Sequence, residues 1–445
     1  MVRWESRILQ QNATMPLTIH LDNPLPSYSG GETIRGRVTL ESLTQIEVKD
    51  IRITLSGKAK TKIKKVKHVG APRTTYRGKA VLFEKEKILV HIDGTLPPQT
   101  LEWRFEFTFP THVQARSGKS QWSSQIPFDA ESTTHSLPPT FMANVENELW
   151  EIESVVAYQI QVDVSKTQRM LVGRKSLIFH EVIPLTFIPP VPFEEEKGYA
   201  SASRMETFTI RSLLLLPENR GRKLDIREKM TSWLSPSQLP VFKFRVIFNY
   251  SSCLHQSDPM VCTLDIQPML EDSTVASVAP TVFLKSVSLT LLTRTVAWSS
   301  PSIIGSLVGD VEESKNILSE GSLRIPATGQ IDISGACGQI SLQHPDPSFS
   351  TFNICRSYRL HASIVLECAE KTVTFSVSDA DIHILPDKRS VDASEAGKTK
   401  GHPYSAGRVE APMEPVPELD SDGVSPPAYD YSSSVSVASC EKGSL

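Results

Sequence analysis

Several stretches of this sequence carry side chains whose types and spacing suit recognition. Near its end, Ser425 to Asp430 read SPPAYD. Pro426-Pro427-Ala428-Tyr429 is a Pro-Pro-x-Tyr pattern. Two successive prolines hold the backbone near polyproline II, which loses little further entropy on binding. Tyr429 adds a ring and a hydroxyl suited to a shallow pocket. Aromatic-lined grooves of WW domains read Pro-rich segments of this kind. Pro426, Pro427 and Tyr429 are therefore the candidate partner-binding residues. The plain alternative is a Pro-rich linker.

A second stretch, KAKTKIKKVKH, places Lys58, Lys60, Lys62 and Lys64 at alternate positions. In a strand they share one face, with Lys65 and Lys67 on the other. Such a face could meet anionic lipid headgroups or phosphorylated partner tails. The preferred reading is a solvated edge strand in which lysines block aggregation. Pro138-Pro139-Thr140-Phe141 is close to the tail pattern, with Phe in place of Tyr. Packing of that Phe on the folded part is preferred, and a second WW contact is the alternative.

Catalysis and metal binding find little support. Asp379 and Asp381 would share one face of a strand but lack an evident third ligand, so a solvated face is preferred. The eleven histidines are scattered singly, and the six cysteines form no Cys-x-x-Cys pair. His-Glu-x-x-His, Gly-x-Ser-x-Gly and the Gly-x-x-x-x-Gly-Lys-Ser/Thr phosphate loop are absent. The expectation is a protein that is not an enzyme, with no cofactor and no metal. A net charge of −3 gives no global argument for nucleic acid.

The elements that must position these residues read as strands. Leu17, Ile19 and Leu21 alternate, as do Ile34, Gly36, Val38 and Leu40. The set Ile46 and Val48 changes phase before Ile51, Ile53 and Leu55, which predicts a bulge near Lys49-Asp50. Leu101, Trp103, Phe105, Phe107 and Phe109 give a strand wet on its other face. Further strands are expected at 156–164, 175–188, 207–216, 241–248, 261–266, 281–298, 321–333, 354–367 and 371–385. Between them, Asp225 to Leu234 has a helical period through Ile226, Met230, Trp233 and Leu234; helix and irregular structure stay open there.

These lengths, with 31 prolines for turns, predict an all-β fold of two tandem antiparallel β-sandwiches. The expected spans are a flexible N-terminus at 1–15 and a first sandwich at 16–190. Residues 191–238 link it to, and begin, a second sandwich at 239–386. From Asp387 the composition turns to Ser, Gly, Pro and acids, which cannot bury enough to offset chain entropy. Residues 387–445 are expected to be a disordered tail holding the Pro-Pro-x-Tyr motif. The first residues lack the apolar core of a signal peptide. The expectation is a soluble, intracellular protein with reduced thiols.

With those residues in view, the sequence resembles the arrestin-like family, in the α-arrestin form found among fungal trafficking adaptors. Leu17 to Leu40 (LTIHLDNPLPSYSGGETIRGRVTL) resembles the family's opening, and Leu96 through Phe107 its later N-domain strand. Leu239 to Val246 resembles the start of the C-domain, and Phe352 to Pro386 its end. Ser29-Gly30 departs from relatives with a Pro before Gly-Glu, which should alter that turn only.

The resemblance implies a cytoplasmic adaptor, recruited to the plasma membrane or endosomes, that binds transporters or receptors. Through Pro-Pro-x-Tyr it would recruit a WW-domain HECT-type ubiquitin ligase. Lys388, Lys398, Lys400 and Lys442 are then candidate ubiquitin acceptors. The alternative is an arrestin-fold sorting-complex subunit or signalling scaffold independent of a ligase.

Overall fold

The computed structural model describes residues 17–65, 74–114, 135–166, 176–190, 200–275, 279–300, 306–327 and 329–387. All belong to the first of two units into which the chain divides, Met1–Arg389 and Ser390–Leu445. The flexible N-terminus lies outside the described residues, as does the expected tail apart from Asp387, whose carboxylate accepts hydrogen bonds from Ser257.

The alternating stretches form the strands of a first sandwich. They are β1 (Leu17–Leu21), β2 (Thr33–Ser42), β3 (Ile46–Lys65), β4 (Thr75–Leu96), β5 (Gln99–Thr108), β6 (Phe141–Glu146), β7 (Trp150–Lys166) and β8 (Ser176–Leu185). One sheet runs β1-β2-β5 and the other β4-β3-β7-β6, with β8 also paired to β7. The two inner faces bury Val38, Leu40, Ile53, Leu55, Phe105, Val156 and Ile160 in one core. The register of β3 on β4 shifts between Val48 and Asp50, where the phase change predicted a bulge.

The second sandwich comprises β9 (Ser201–Arg211), β10 (Val241–Ser251), β11 (Cys253–His255), β12 (Cys262–Pro268), β13 (Phe283–Trp298), β14 (Val308–Glu320), β15 (Ile325–Pro326), β16 (Gly329–Asp332), β17 (Phe349–Ser350), β18 (Ile354–Cys368) and β19 (Lys371–Leu385). Its sheets run β16-β12-β10-β9 and β11-β19-β18-β13-β14. Phe242, Phe244, Val246 and Phe248 alternate inward from β10 against Leu289, Ile364 and Phe375. The fold is all-β, in two sandwiches.

Sequence periodicity misses β14. It is the outermost strand of its sheet and pairs with β13 alone. Glu312 to Asn316 along it are all exposed, so no apolar alternation is needed and none was visible. The single strand expected at 321–333 is instead β15, β16 and a one-turn helix, Ile333–Cys337. The helical period at 225–234 does form a helix, Ile226–Leu234. Three of its apolar residues face solvent: Ile226, Met230 and Leu234 are 79%, 57% and 66% exposed.

The two sandwiches share a junction. Strands β13 and β18 overrun their own core, so Val296, Trp298 and Ile354 join the core of the first sandwich, with nearby Phe352. A smaller cluster packs Ile63, Val145 and Ile152 on Ala297 and Val311. The Asn353 amide donates to the Ala59 carbonyl at 3.3 Å.

Candidate functional site

Residues Pro426, Pro427 and Tyr429 lie outside the described residues, as do Lys388, Lys398, Lys400 and Lys442. The basic stretch is within them. Lys58, Lys60, Lys62 and Lys64 project from one face of β3, while Ala59, Thr61 and Ile63 between them are buried. The edge-strand reading is overturned. β3 is an inner strand, hydrogen-bonded to β4 on one side and β7 on the other. It has no free edge for lysines to guard.

The four lysines are not equivalent. Lys62 reaches Glu153 at 2.8 Å. Lys64 pairs with Glu151, and with Glu153 at 3.6 Å. The Glu151 hydrogen bond comes first among the causes that hold the Lys64 ammonium pKa above its ordinary value. Lys58 is only 3.9 Å from Glu84. Lys60 stands directly opposite Lys79 of β4, and Lys62 directly opposite Arg77. Desolvation, the larger cause, and the Lys79 charge lower the pKa of Lys60. Desolvation also leads for Lys58, which is lowered despite Glu84.

Strand pairing also brings in residues that the Lys stretch alone does not contain. Arg77 and Lys79 are exposed on β4. Across β3 the row Lys79-Lys60 continues to Val155 on β7 and Met142 on β6. The hairpin pairing of β3 with β4 is the signal that finds Lys79, once its register is known. Between Arg77 and Lys79, Gly78 is obligatory. A Cβ there would overlap the Thr61 hydroxyl and the Trp298 carbonyl. The sandwich junction thus runs directly beneath the basic row.

The other candidates resolve differently. Pro138, Pro139 and Phe141 are buried. The Tyr158 hydroxyl donates to the Pro138 carbonyl at 2.6 Å, and the Phe141 ring meets Phe349 edge-on at 4.9 Å. This segment is part of the core and cannot offer its prolines to a groove. Asp379 accepts a hydrogen bond from Arg359 at 2.6 Å, and Arg359 also pairs with Glu312. Among the described residues no group of His, Cys, Asp and Glu could hold a metal ion. No described helix is long and apolar enough to cross a membrane.

A buried guanidinium sits where the sandwiches meet. Arg356 of β18 packs over the Phe141 ring at 5.8 Å. It donates to Thr295, to the Tyr358 hydroxyl at 3.3 Å and to Asp346 at 3.4 Å. Burial pushes the Tyr358 phenol up to about 12 and raises the Asp346 pKa against the pull of Arg356. Beside them is a cleft of about 370 Å³, lined by Thr293, Glu313, Lys315 and His344 among others. Charges of both signs line it, and each charge of Arg356 and Asp346 already has its partner.

Residues 17–131 match the family model for the arrestin (or S-antigen) N-terminal domain. That stretch of the chain is similar to an arrestin N-terminal domain. The match spans β1 to β5, so the hairpin carrying Lys58, Lys60 and Lys79 lies within the matched stretch. No curated protein matches the chain.

Proposed function

We propose that this arrestin-like protein is a non-enzymatic trafficking adaptor. Its sandwiches hold the cytoplasmic segments of a membrane transporter or receptor, and its tail brings a WW-domain HECT-type ubiquitin ligase. Cargo is then ubiquitinated and internalised from the plasma membrane or endosomes. The observation that carries this reading is Pro426-Pro427-Ala428-Tyr429, following an arrestin-like body in the same chain.

The burial of Pro138, Pro139 and Phe141 supports the assignment of this role to the tail, because the similar internal segment is occupied in the core. One short proline-rich contact is weak. Tethering through cargo or membrane raises its effective concentration. Lys388, Lys398, Lys400 and Lys442 are near the motif in sequence and are proposed as ubiquitin acceptors.

The test is a pulldown of the full chain on isolated WW domains, wild type beside Tyr429→Ala. The wild type should be retained and the variant should not. Equal retention of both would remove the tail from the account and leave a ligase-independent scaffold.

A further inference from the structure

We propose that the outer face of the β4-β3-β7-β6 sheet docks an anionic lipid bilayer, with Lys60 and Lys79 at its centre and Lys58 and Arg77 beside them. The arrangement costs stability as it stands. Lys60 and Lys79 are directly opposed on adjacent strands, and like charges so placed are destabilising. Among the described residues, neither they nor Arg77 has a carboxylate within ion-pair distance, whereas Lys62 and Lys64 do. An inner strand needs no lysine to guard an edge, and uncharged polar residues would solvate the face without repulsion. An anionic surface brought to the sheet would remove the penalty.

The chemistry of the face selects a bilayer. Lysines dominate it, and an ammonium is a point charge suited to a diffuse layer of headgroups. Two-point grip of a single phosphate falls to guanidinium forks, and Arg77 is the one arginine in the group. The charges are spread across neighbouring strands of a pleated sheet. The central row runs Lys79-Lys60-Val155-Met142. Adjacent strands lie about 5 Å apart, so the row spans about 15 Å. Met142 at its end is 67% exposed. A row with two ammonium groups at one end and a bare thioether at the other suits a surface charged outside and apolar beneath.

This surface is narrower than the Lys58-Lys64 stripe, because Glu151 and Glu153 neutralise Lys62 and Lys64. It stands apart from the tail motif, since vesicle binding needs no WW domain.

The experiment is co-sedimentation of the full chain with phosphatidylcholine vesicles, with and without phosphatidylserine. The wild type should bind only the anionic vesicles and release them at high salt. Lys60→Ala with Lys79→Ala should weaken binding about thirtyfold, the fold-change set by the usual contribution of each basic residue near an anionic membrane. The same variant should melt no lower than wild type, because a repulsion has been relieved; that separates lost docking from lost folding. The charge-neutral pair Lys62→Gln with Glu153→Gln should bind as wild type. Three results would overturn the proposal. One is wild-type binding by the Lys60/Lys79 variant. Another is loss of binding on Ile226→Ser with Met230→Ser but not on the lysine changes. The third is Lys60-dependent binding of a soluble phosphopeptide by a protein that ignores anionic vesicles.

Discussion

The Thr61 hydroxyl donates a buried hydrogen bond of 2.7 Å to the carbonyl of Trp298. That bond ties the inner strand of the first sandwich to the last residue of β13 in the second. It lies beside Gly78, where the backbone of β4 leaves no room for a side chain.

Thr61→Val should keep the shape and lose the bond, at about 1 kcal/mol. Gly78→Ala must push the two sandwiches apart and should cost about 1–3 kcal/mol, as overpacking does elsewhere. Urea unfolding of the full chain measures both. A Gly78→Ala protein as stable as wild type would mean that the junction yields freely.

Arg356 gives a second test of the junction. Its three partners need a planar fork, so Arg356→Lys should not rescue it. Both Arg356→Lys and Arg356→Met should lose about 1–3 kcal/mol, from donors and acceptors left unpaired. For a folded body of this size each kcal/mol lowers the melting temperature by about 1–2 °C. A Lys variant melting with wild type would show that only the charge matters there.

Asp50 links stability to pH. Its carboxylate is buried, with Nδ1 of His91 at 2.5 Å and Arg52 at 3.2 Å. The His91 hydrogen bond leads the causes that hold its pKa below the ordinary value. A depressed carboxylate pKa stabilises the fold above the unfolded value and loses that contribution as pH falls through the folded one. Asp50→Asn should therefore be less stable than wild type at neutral pH, by about 1 kcal/mol since His91 is exposed. The gap should close below about pH 4. Melting temperatures across pH 3 to 7 decide it; a gap that widens in acid would contradict the sign.

The thiols offer a check on burial. Cys262 is pushed up to about 12 and Cys368 to about 11 by desolvation. Thiolate is the reactive form, so mild alkylation of the native protein should reach the partly exposed Cys253, Cys337 and Cys355 before these two buried thiols. Mass spectrometry reads the sites, and early labelling of Cys262 would contradict the packing of β12.

Much of the fold is legible because both sandwiches bury one face of each inner strand. Phe242 to Phe248 and Leu101 to Phe109 alternate for that reason. The edge strand β14 buries little, so its composition hides it. The exposed face of the helix Ile226–Leu234 shows the converse, since an apolar period reports amphipathicity and not what covers it. The lysine face of β3 was legible as a face. Its neighbours were not: that β3 is an inner strand, that Glu153 cancels Lys62 and that Lys79 opposes Lys60 all depend on register between strands. The Pro138 segment misleads for the same reason, because its burial against Tyr158 and Phe349 is tertiary.

The adaptor reading rests on two separable parts, a body that finds the membrane protein and a motif that brings the ligase. Proximity labelling from the full chain at the membrane, wild type against Tyr429→Ala, tests both together. The account predicts that membrane transporters or receptors are labelled by both proteins and a WW-domain ligase by the wild type alone. Ligase labelling that survives Tyr429→Ala would contradict it.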